Sequence, residues 1–451
     1  MIGNQTIDVG ELLDEAQWSG YQKLLVAATA MTIILDGLDN QLLGAAVPSM
    51  MREWSLPRPA FVPVQTAGMV GMMIGGAIGG VIGDRLGRRV ALLGSVIAFG
   101  ALTVLVSLSS GVAMLTALRF LAGFGLGGAM PNAAALSSEY VPLRERPFAV
   151  TLTIVCIPLG GSLAGFVGGL LLPTFGWRGL FMVGGILPLV IAAVLLKVLP
   201  ESPRFLARHP DRWPQLRALL RRLGHAVPDG AQFADSKEKA VARVSAQELL
   251  KPDLRGDTIA LCASFFFCLL TVYIGTTWVP LMLSDAGFPV GTASYGLTAF
   301  NLGGVVGAIL GAIVIMRLGS RLTMLLMAAG AVAGAVALAS TPIGPQSAFL
   351  VLALLAWSGG LINAVQTTMY ALAAHVYPTA VRATGVGTAV AFGRVGGVLS
   401  PSVGSWALES GPSRYFGLMA ATMTVALASL ASIRRHIPAA AAAPQPSGAA
   451  R

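Results

Sequence analysis

Two carboxylates lie in a segment that is otherwise apolar. The segment reads MTIILDGLDNQLLG and contains Asp36 and Asp39. A spacing of three residues places both side chains on one face of a helix. Two carboxylates that lie close together in a medium of low dielectric constant do not both ionise at low cost, so at least one of them is expected to take up a proton near neutral pH. The pair therefore predicts a proton-coupling site.

Two arginines are the other ionisable residues deep in apolar segments. Arg119 opens RFLAGFGLGG, and Arg394 lies in AFGRVGGVLSP. A charge at such depth costs from about 2.5 kcal/mol upward, which favours a functional role. For Arg119 we expect tuning of the aspartates, with a static ion pair between two helices as the alternative. Arg394 has no acidic residue in the adjacent sequence, so its planar fork suits a substrate carboxylate, with a gating or interhelical contact as the alternative.

The elements that carry these residues are membrane-spanning helices. The chain has 451 residues, of which 55% are hydrophobic and 11% charged. Apolar runs of roughly 20 residues, the length that spans the hydrocarbon layer, recur twelve times. This predicts an all-α integral membrane protein with twelve transmembrane helices. We expect the spans at 24–50, 61–82, 90–110, 112–138, 148–172, 178–199, 257–283, 290–316, 322–341, 347–373, 385–409 and 414–433.

The distribution of basic residues predicts the orientation of the chain. The first 23 residues are polar and acidic and show no cleavable signal, so we expect the N-terminus in the cytoplasm. Most of the 30 Lys and Arg residues then fall in inward-facing loops, and Arg52, Arg58, Arg178 and Arg414 fall outside. The net charge of +10 is therefore a topology signal, and we expect no nucleic-acid partner.

No cofactor or metal ion is expected. Cys156, Cys262 and Cys268 lie in predicted spans without ligand-like neighbours, so we expect buried free thiols that pack as small apolar residues.

A long polar segment divides the spans into six and six. Residues 200–256 are predicted to form a cytoplasmic linker with room for two amphipathic helices. The predicted organisation is an N-terminal cytoplasmic segment, a six-helix bundle, the linker, a second six-helix bundle and a cytoplasmic tail, at 1–23, 24–199, 200–256, 257–433 and 434–451.

The two halves contain an internal repeat. Three segments recur in the same order at a nearly constant offset: Pro142 and Arg146 as Pro378 and Arg382, Gly160–Gly161 as Gly396–Gly397, and Arg85–Arg89 as Arg317–Arg321. Because six is even, both halves have the same orientation, which predicts a pseudo-two-fold axis along the membrane normal and a cavity between the halves near the midplane.

One loop of the first half carries a family signature. The segment GDRLGRR lies between the second and third spans, and with the repeat it resembles the signature loop of the major facilitator superfamily. Its glycines permit a tight turn, and its acid can pair with a basic group at a neighbouring helix end. We predict a gating role, the alternative being that its arginines only enforce topology. The signature residues are Gly83, Asp84, Arg85, Gly87, Arg88 and Arg89.

Further charges are predicted to join this gate. PESPRFL, which follows the sixth span, resembles the corresponding segment of the sugar and organic-acid branches. We expect an inner charge cluster with a structural or gating role, the alternative being contact with the substrate. It includes Glu139, Arg144, Arg146, Glu201 and Arg204. In the second half, Arg382 is the corresponding gating residue.

The chain resembles the aromatic acid:proton symporter family within this superfamily. The segments that carry the likeness are DGLDNQLLGAAVPSM, GDRLGRR, PESPRFL and VYPTAVRATGVG. The resemblance implies import of a benzoate-like or hydroxylated aromatic carboxylate with protons across a bacterial inner membrane, with both termini cytoplasmic. It matches Asp36 and Asp39 to the family's essential pair. It matches Asp84, Arg119, Glu139, Arg382 and Arg394 to its motif charges. Leu38 departs from the Phe that is common between the two acids.

A ring with one carboxylate calls for aromatic walls and a single cationic anchor. The candidate lining residues, each of which ordinary helix packing also explains, are Tyr273, Trp278, Phe300, Asn301, Asn363, Gln366, Tyr370 and Phe392. Asn363, Gln366 and Tyr370 are spaced to form one polar face on the tenth span, and we expect this face to bind the hydroxyl groups of the ring. The expected partners are a small aromatic carboxylate, protons and the lipid bilayer, and we expect a monomer.

Four other functions are alternatives to proton-coupled import of an aromatic carboxylate. A drug-efflux antiporter would carry Gly before Pro158, where this chain has Ile157. A symporter of a non-aromatic organic acid would share most of the same motifs. A membrane enzyme is disfavoured because all four histidines lie in loops or at span ends, and a channel would not need a repeat around titratable acids.

Overall fold

Long apolar helices account for most of the chain. The computed structural model describes residues 6–15, 17–228, 230–235 and 246–439. It divides into two compact units, Met1–Ala242 and Arg243–Arg451. The all-α membrane fold predicted from the apolar runs is confirmed.

The first unit contains the first six predicted spans. Its long helices are α2 (Gly20–Trp54), α3 (Val62–Leu86), α4 (Arg88–Val106), α5 (Val112–Tyr140) and α6 (Arg146–Val198).

Helix α6 contains two predicted spans in one run. They meet at Gly176, whose φ of 63° and ψ of −170° lie outside the helical region. The turn is fixed from α2, because Glu53 accepts a hydrogen bond of 2.7 Å from the Trp177 indole N–H and a second bond from Arg178.

The second unit contains the other six spans. Its long helices are α9 (Pro252–Asp285), α10 (Val290–Leu318), α11 (Ser320–Ser340), α12 (Ala348–Val376), α13 (Arg382–Leu408) and α14 (Pro412–Ser432).

Within the described residues, ten helical segments are long and apolar enough to cross a membrane. The segment with α6 holds two spans. Helix α13 is not among the ten, because its glycines, its serines and Arg394 lower its mean hydropathy.

The same packing recurs in both units. Helix α2 packs on α6 as α9 packs on α13, and α3 packs on α5 as α10 packs on α12. The repeated glycines explain the first pair of contacts. A Cβ atom on Gly160 would lie 2.0 Å from the Ile34 carbonyl oxygen of α2, and one on Gly396 would lie 2.3 Å from the Phe266 carbonyl oxygen of α9. The repeat read from the sequence therefore corresponds to equivalent close helix contacts.

The N-terminal segment and part of the linker form a small packed subdomain on the first unit. Strand β1 (Thr6–Asp8) pairs in parallel with β2 (Gln232–Ala234). The short helices are α1 (Val9–Asp14), α7 (Pro203–Ala207) and α8 (Trp213–Arg222).

The buried core of this subdomain consists of Val9, Leu13, Leu206, Ala207, Leu216, Leu219, Leu220, Leu223, Val227, Ala231 and Phe233. Helix α8 is one of the amphipathic helices expected in the linker. The strand pair was not predicted. Residues 236–245 of the linker and 440–451 of the tail lie outside the described residues.

Candidate functional site

The centre of the candidate site is the carboxylate of Asp39, inside the first unit. Asp39 has no exposed surface, and Arg119 is 4% exposed. Nη1 of Arg119, on α5, donates to Oδ2 of Asp39 at 3.1 Å. The Thr103 hydroxyl, on α4, donates to Oδ1. Three helices therefore meet at one carboxylate, and charge-assisted hydrogen bonds hold it.

Helix α2 approaches its neighbours closely at the two aspartates. A Cβ atom on Gly37 would lie 2.3 Å from the Ile157 carbonyl oxygen of α6, so this position requires glycine. Asp36, one turn before Asp39, is also buried. The contact between Asp39 and Arg119 is an ion pair between two helices, the arrangement given above as the alternative for Arg119.

A small cavity continues the polar region toward α3. Asn40, Gln65, Gly68 and Arg119 are among its lining residues, and it leaves about 10 Å³ for the centre of a water-sized sphere. Nε of Arg119 and Nε2 of Gln65 are buried and have no protein hydrogen-bond partner. Two such donors suit one bridging water, whose centre needs roughly this much space.

In the second unit, several predicted substrate residues lie close together. Tyr273, Gln366 and Arg394 all lie close enough to Tyr370 to act on it electrostatically. All four side chains are half-buried. Tyr273 packs against Gly397 of α13, where a Cβ atom would lie 2.9 Å from the ring. The guanidinium of Arg394 is therefore accompanied by two phenols and an amide.

Four other candidate residues are enclosed by packing within the second unit. Trp278 donates its indole N–H to the Pro401 carbonyl at 3.2 Å. The amide of Asn301 donates to Leu297 at 2.9 Å, and that of Asn363 to Gly359 at 2.9 Å.

Phe300, the fourth, fills the space beside Gly275 and Gly359. Asn363 lies against Gly304 of α10, so it does not extend the polar group at Tyr370. Substrate contact by these four residues stays a prediction.

Phe392 lies apart from that polar group. Its side chain is 52% exposed and lines an apolar groove of about 490 Å³ between α9 and α13. Thr258, Cys262, Phe266 and Thr388 also line it. In the described chain, Phe392 is the one predicted substrate residue among its lining residues.

The arginine-rich end of the first unit holds most of the predicted gating residues. Asp84 pairs with Arg88 at the start of α4, and Nε of Arg88 lies 3.8 Å from Glu139. Glu139 also accepts a hydrogen bond from Ser202. The predicted pairing of Asp84 with a basic group at a helix end is confirmed.

Glu201 closes the turn between α3 and α4. Its Oε1 accepts the backbone N–H of Arg89 at 2.9 Å. Gly87 has a φ of 110°, and a Cβ atom there would lie 2.3 Å from the Glu201 carboxylate. Gly83 lies against Asn132 of α5, where a Cβ atom would be 1.8 Å from the amide oxygen. These contacts explain both glycines of the signature.

A second group of charges anchors the N-terminal subdomain. Asp14 pairs with Arg146 and lies 3.4 Å from Arg204. Arg204 also lies 3.9 Å from Asp235. Neither aspartate is among the residues predicted from the sequence, because Asp14 lies in the polar N-terminal segment and Asp235 in the predicted linker.

The expected inner cluster needs one correction. The side chain of Arg144 is 80% exposed and pairs with its neighbour Glu145, so Arg144 is not part of the cluster. Its position in a short 3₁₀ turn directs it to the surface. Arg85 is exposed, and Arg382 is exposed with Nε 3.3 Å from the Tyr377 carbonyl. Gating roles for all these residues stay predictions.

In the second unit, the turn between α10 and α11 is held by the main chain near the end of the described residues instead of by a glutamate. The Ser320 N–H donates to the Ile437 carbonyl at 2.9 Å, and the Ile437 N–H donates to the Ser320 hydroxyl at 2.8 Å. His436 and the Ser320 hydroxyl are 3.1 Å apart. The main chain of the tail thus lies where Glu201 lies in the first unit.

No metal site or reactive thiol accompanies these charges in the described part of the chain. No group of three His, Cys, Asp or Glu side chains there could hold a metal ion, and the three cysteines are buried and free.

Comparison with known proteins decides the family. The sequence model of the Major Facilitator Superfamily matches residues 29–401 and, again, 260–450. The chain belongs to the major facilitator superfamily. The second match begins in the second unit, in agreement with the repeat. The fold agrees with this family, since a D-xylose–proton symporter of known structure superposes with a TM-score of 0.69, at 17% identity over 93% of this chain and 99% of that one.

Curated relatives of this superfamily member are named for aromatic acids. The chain is 34% identical to the gallate transporter of Pseudomonas putida, over 90% of each protein. It is 33% identical to the 4-hydroxybenzoate transporter of Pseudomonas aeruginosa, over 96% of each. It is 30% identical to the benzoate transport protein of Acinetobacter baylyi, over 94% of this chain and 91% of that protein. The resemblance to the aromatic acid symporter family is confirmed.

Proposed function

We propose that this multi-pass membrane protein imports an aromatic carboxylate together with protons. The observation that carries the proposal is the fully buried Asp39, held by Arg119 and Thr103, in a chain related along nearly its whole length to transporters of gallate, 4-hydroxybenzoate and benzoate. A carboxylate in this environment changes its contacts when it gains a proton, and transport needs such a change.

The proton step follows from the contacts of Asp39. When Asp39 is ionised, its charge holds Arg119 and joins α2 to α5. A proton on Asp39 removes this charge and weakens the ion pair, so the two helices are freed to separate. Asp36, one turn away and also buried, titrates as part of the same coupled pair.

The substrate step uses the polar group around Tyr370. Arg394 provides a permanent positive charge in a planar fork, which suits a carboxylate. Tyr273 and Tyr370 provide aromatic surface for a ring and hydroxyls for ring substituents, and Gln366 provides an amide. A benzoate or hydroxybenzoate fits this combination, whereas an uncharged drug would leave the arginine without a partner.

The location completes the proposal. We place the protein as a monomer in a bacterial inner membrane, with both termini and the arginine-rich loops in the cytoplasm. The excess of Lys and Arg in the loops at one end of the helices supports this orientation.

Uptake into cells tests the proposal. Cells that express the protein should accumulate labelled 4-hydroxybenzoate, gallate or benzoate against a gradient, and a protonophore should abolish the accumulation. Asp39→Asn should reach the membrane but not concentrate the substrate. Accumulation that persists after the proton gradient collapses would contradict symport, and faster loss from preloaded cells would indicate efflux.

A further inference from the structure

We propose that Thr103 is a positioning residue for the proton site, and that its hydroxyl keeps Asp39 hydrogen-bonded both with and without the proton. The inference rests on the proposed function, in which Asp39 carries the coupled proton. Thr103 lies on α4. The predicted site residues on this helix, Arg88 and Arg89, lie at its start and belong to the signature loop.

The hydrogen bond of Thr103 differs from those of Thr153 and Thr368, two other buried threonines of the membrane helices. Thr153 donates to the Ala149 carbonyl one turn back in its own helix at 2.9 Å, and Thr368 does the same to Ala364 at 2.7 Å. Thr103 instead donates to Oδ1 of Asp39, on another helix. Its side chain has no exposed surface, so water does not replace this donor.

The two oxygens of Asp39 are held differently. Oδ2 accepts a hydrogen bond from Arg119, whose permanently charged guanidinium donates hydrogen bonds but cannot accept them. Oδ1 receives a hydroxyl, which both donates and accepts. A proton that arrives at Asp39 therefore has an acceptor on the Oδ1 side and a repelling cation on the Oδ2 side, which assigns Oδ1 as the protonated oxygen.

Protonation at Oδ1 requires only a rotation of the Thr103 hydroxyl. In the ionised state, the hydroxyl hydrogen points at Oδ1. In the protonated state, the new O–H of Asp39 donates to the Thr103 oxygen, and the Thr103 hydrogen turns away from Oδ1. The proton comes from solvent, no covalent bond of Thr103 breaks, and the hydrogen bond between Thr103 and Asp39 reverses its direction, so the carboxyl stays paired in both states.

The test compares Thr103→Val with Thr103→Ser in the full-length protein in proteoliposomes. Valine keeps the shape but has no hydroxyl, so the ionised carboxylate loses a donor. The pH at which uptake is half-maximal should move by about one unit to higher pH. Serine keeps the hydroxyl and should retain the wild-type profile. Thr153→Val is the matched control, since it removes a buried hydroxyl that is bonded within its own helix, and it should also retain the profile.

Three results would overturn the inference. They are an unchanged pH profile in Thr103→Val, a profile in Thr103→Ser that moves as far as in valine, and an equal shift in Thr153→Val. If the valine variant does not reach the membrane, Thr103→Cys replaces it. Its weak S–H donor should give a smaller shift in the same direction, and a wild-type profile there would refute the role.

A spectroscopic titration separates this inference from the proposed function. The infrared carboxyl band that disappears in Asp39→Asn reports the protonation of Asp39 without any transport. The midpoint of this band should move in Thr103→Val and stay in place in Thr103→Ser. A wild-type protein that does not accumulate substrate would refute symport, whereas a band midpoint that ignores Thr103 would refute the positioning role alone.

Discussion

Removal of Arg119 tests how the buried ion pair is held. In Arg119→Gln, Asp39 keeps the Thr103 hydroxyl but loses the cation on its other oxygen. Both partners are almost fully buried, so solvent does not screen the remaining charge. Removal of one partner of a buried pair leaves an uncompensated charge and destabilises a protein by about 3 to 5 kcal/mol. We expect a loss near the lower end, because Thr103 remains as a donor.

The assay is thermal unfolding of the purified protein at several pH values. The penalty in Arg119→Gln should be largest at high pH, where Asp39 is ionised, and should shrink as the pH falls and the carboxyl gains a proton. The double variant Asp39→Asn with Arg119→Gln should be more stable than Arg119→Gln alone, since it has no buried charge. Equal stability of the wild type and Arg119→Gln at every pH would show that Arg119 does not compensate a buried charge on Asp39.

Three further predictions follow from particular contacts. Gly37→Ala should reduce the amount of folded protein in the membrane several-fold, because the added Cβ atom would collide with the Ile157 carbonyl. Gly94→Ala is the control and should be neutral, because a Cβ atom there meets nothing within 4 Å. Equal yields of the two variants by fluorescence-detected chromatography would contradict this prediction. Arg394→Lys keeps the charge but loses the fork, so the KM for uptake should rise about tenfold, or roughly 1.4 kcal/mol, with unchanged thermal stability; an unchanged KM would remove the substrate role. Asp14→Asn should speed proteolysis of the N-terminal subdomain without changing KM, and a wild-type cleavage rate would show that the two arginine contacts do not anchor it.

The sequence predicted the membrane helices well because the bilayer imposes their length and apolar composition. It also gave an ion pair through Arg119 as an alternative, since a buried charge needs a partner and few charges lie at that depth, but it did not show that the partner is Asp39.

Other features of the fold and the site could not be predicted from the sequence. Strands β1 and β2 have three residues each and come from distant parts of the chain, so neither shows a strand period. Thr103 looks like any threonine in an apolar helix, and only the arrangement of α2, α4 and α5 brings it to Asp39. Arg144 was grouped with the inner charges because of its neighbours in sequence, but the turn directs it to the surface.

Proton movement during uptake is the direct test of whether the substrate enters together with protons through Asp39. Proteoliposomes that contain the purified protein are placed in weakly buffered medium, and an aromatic carboxylate such as 4-hydroxybenzoate is added outside. We expect the external pH to rise as the substrate enters with wild-type protein, and to stay constant with Asp39→Asn. Entry of the substrate into wild-type vesicles with no change in external pH would contradict it.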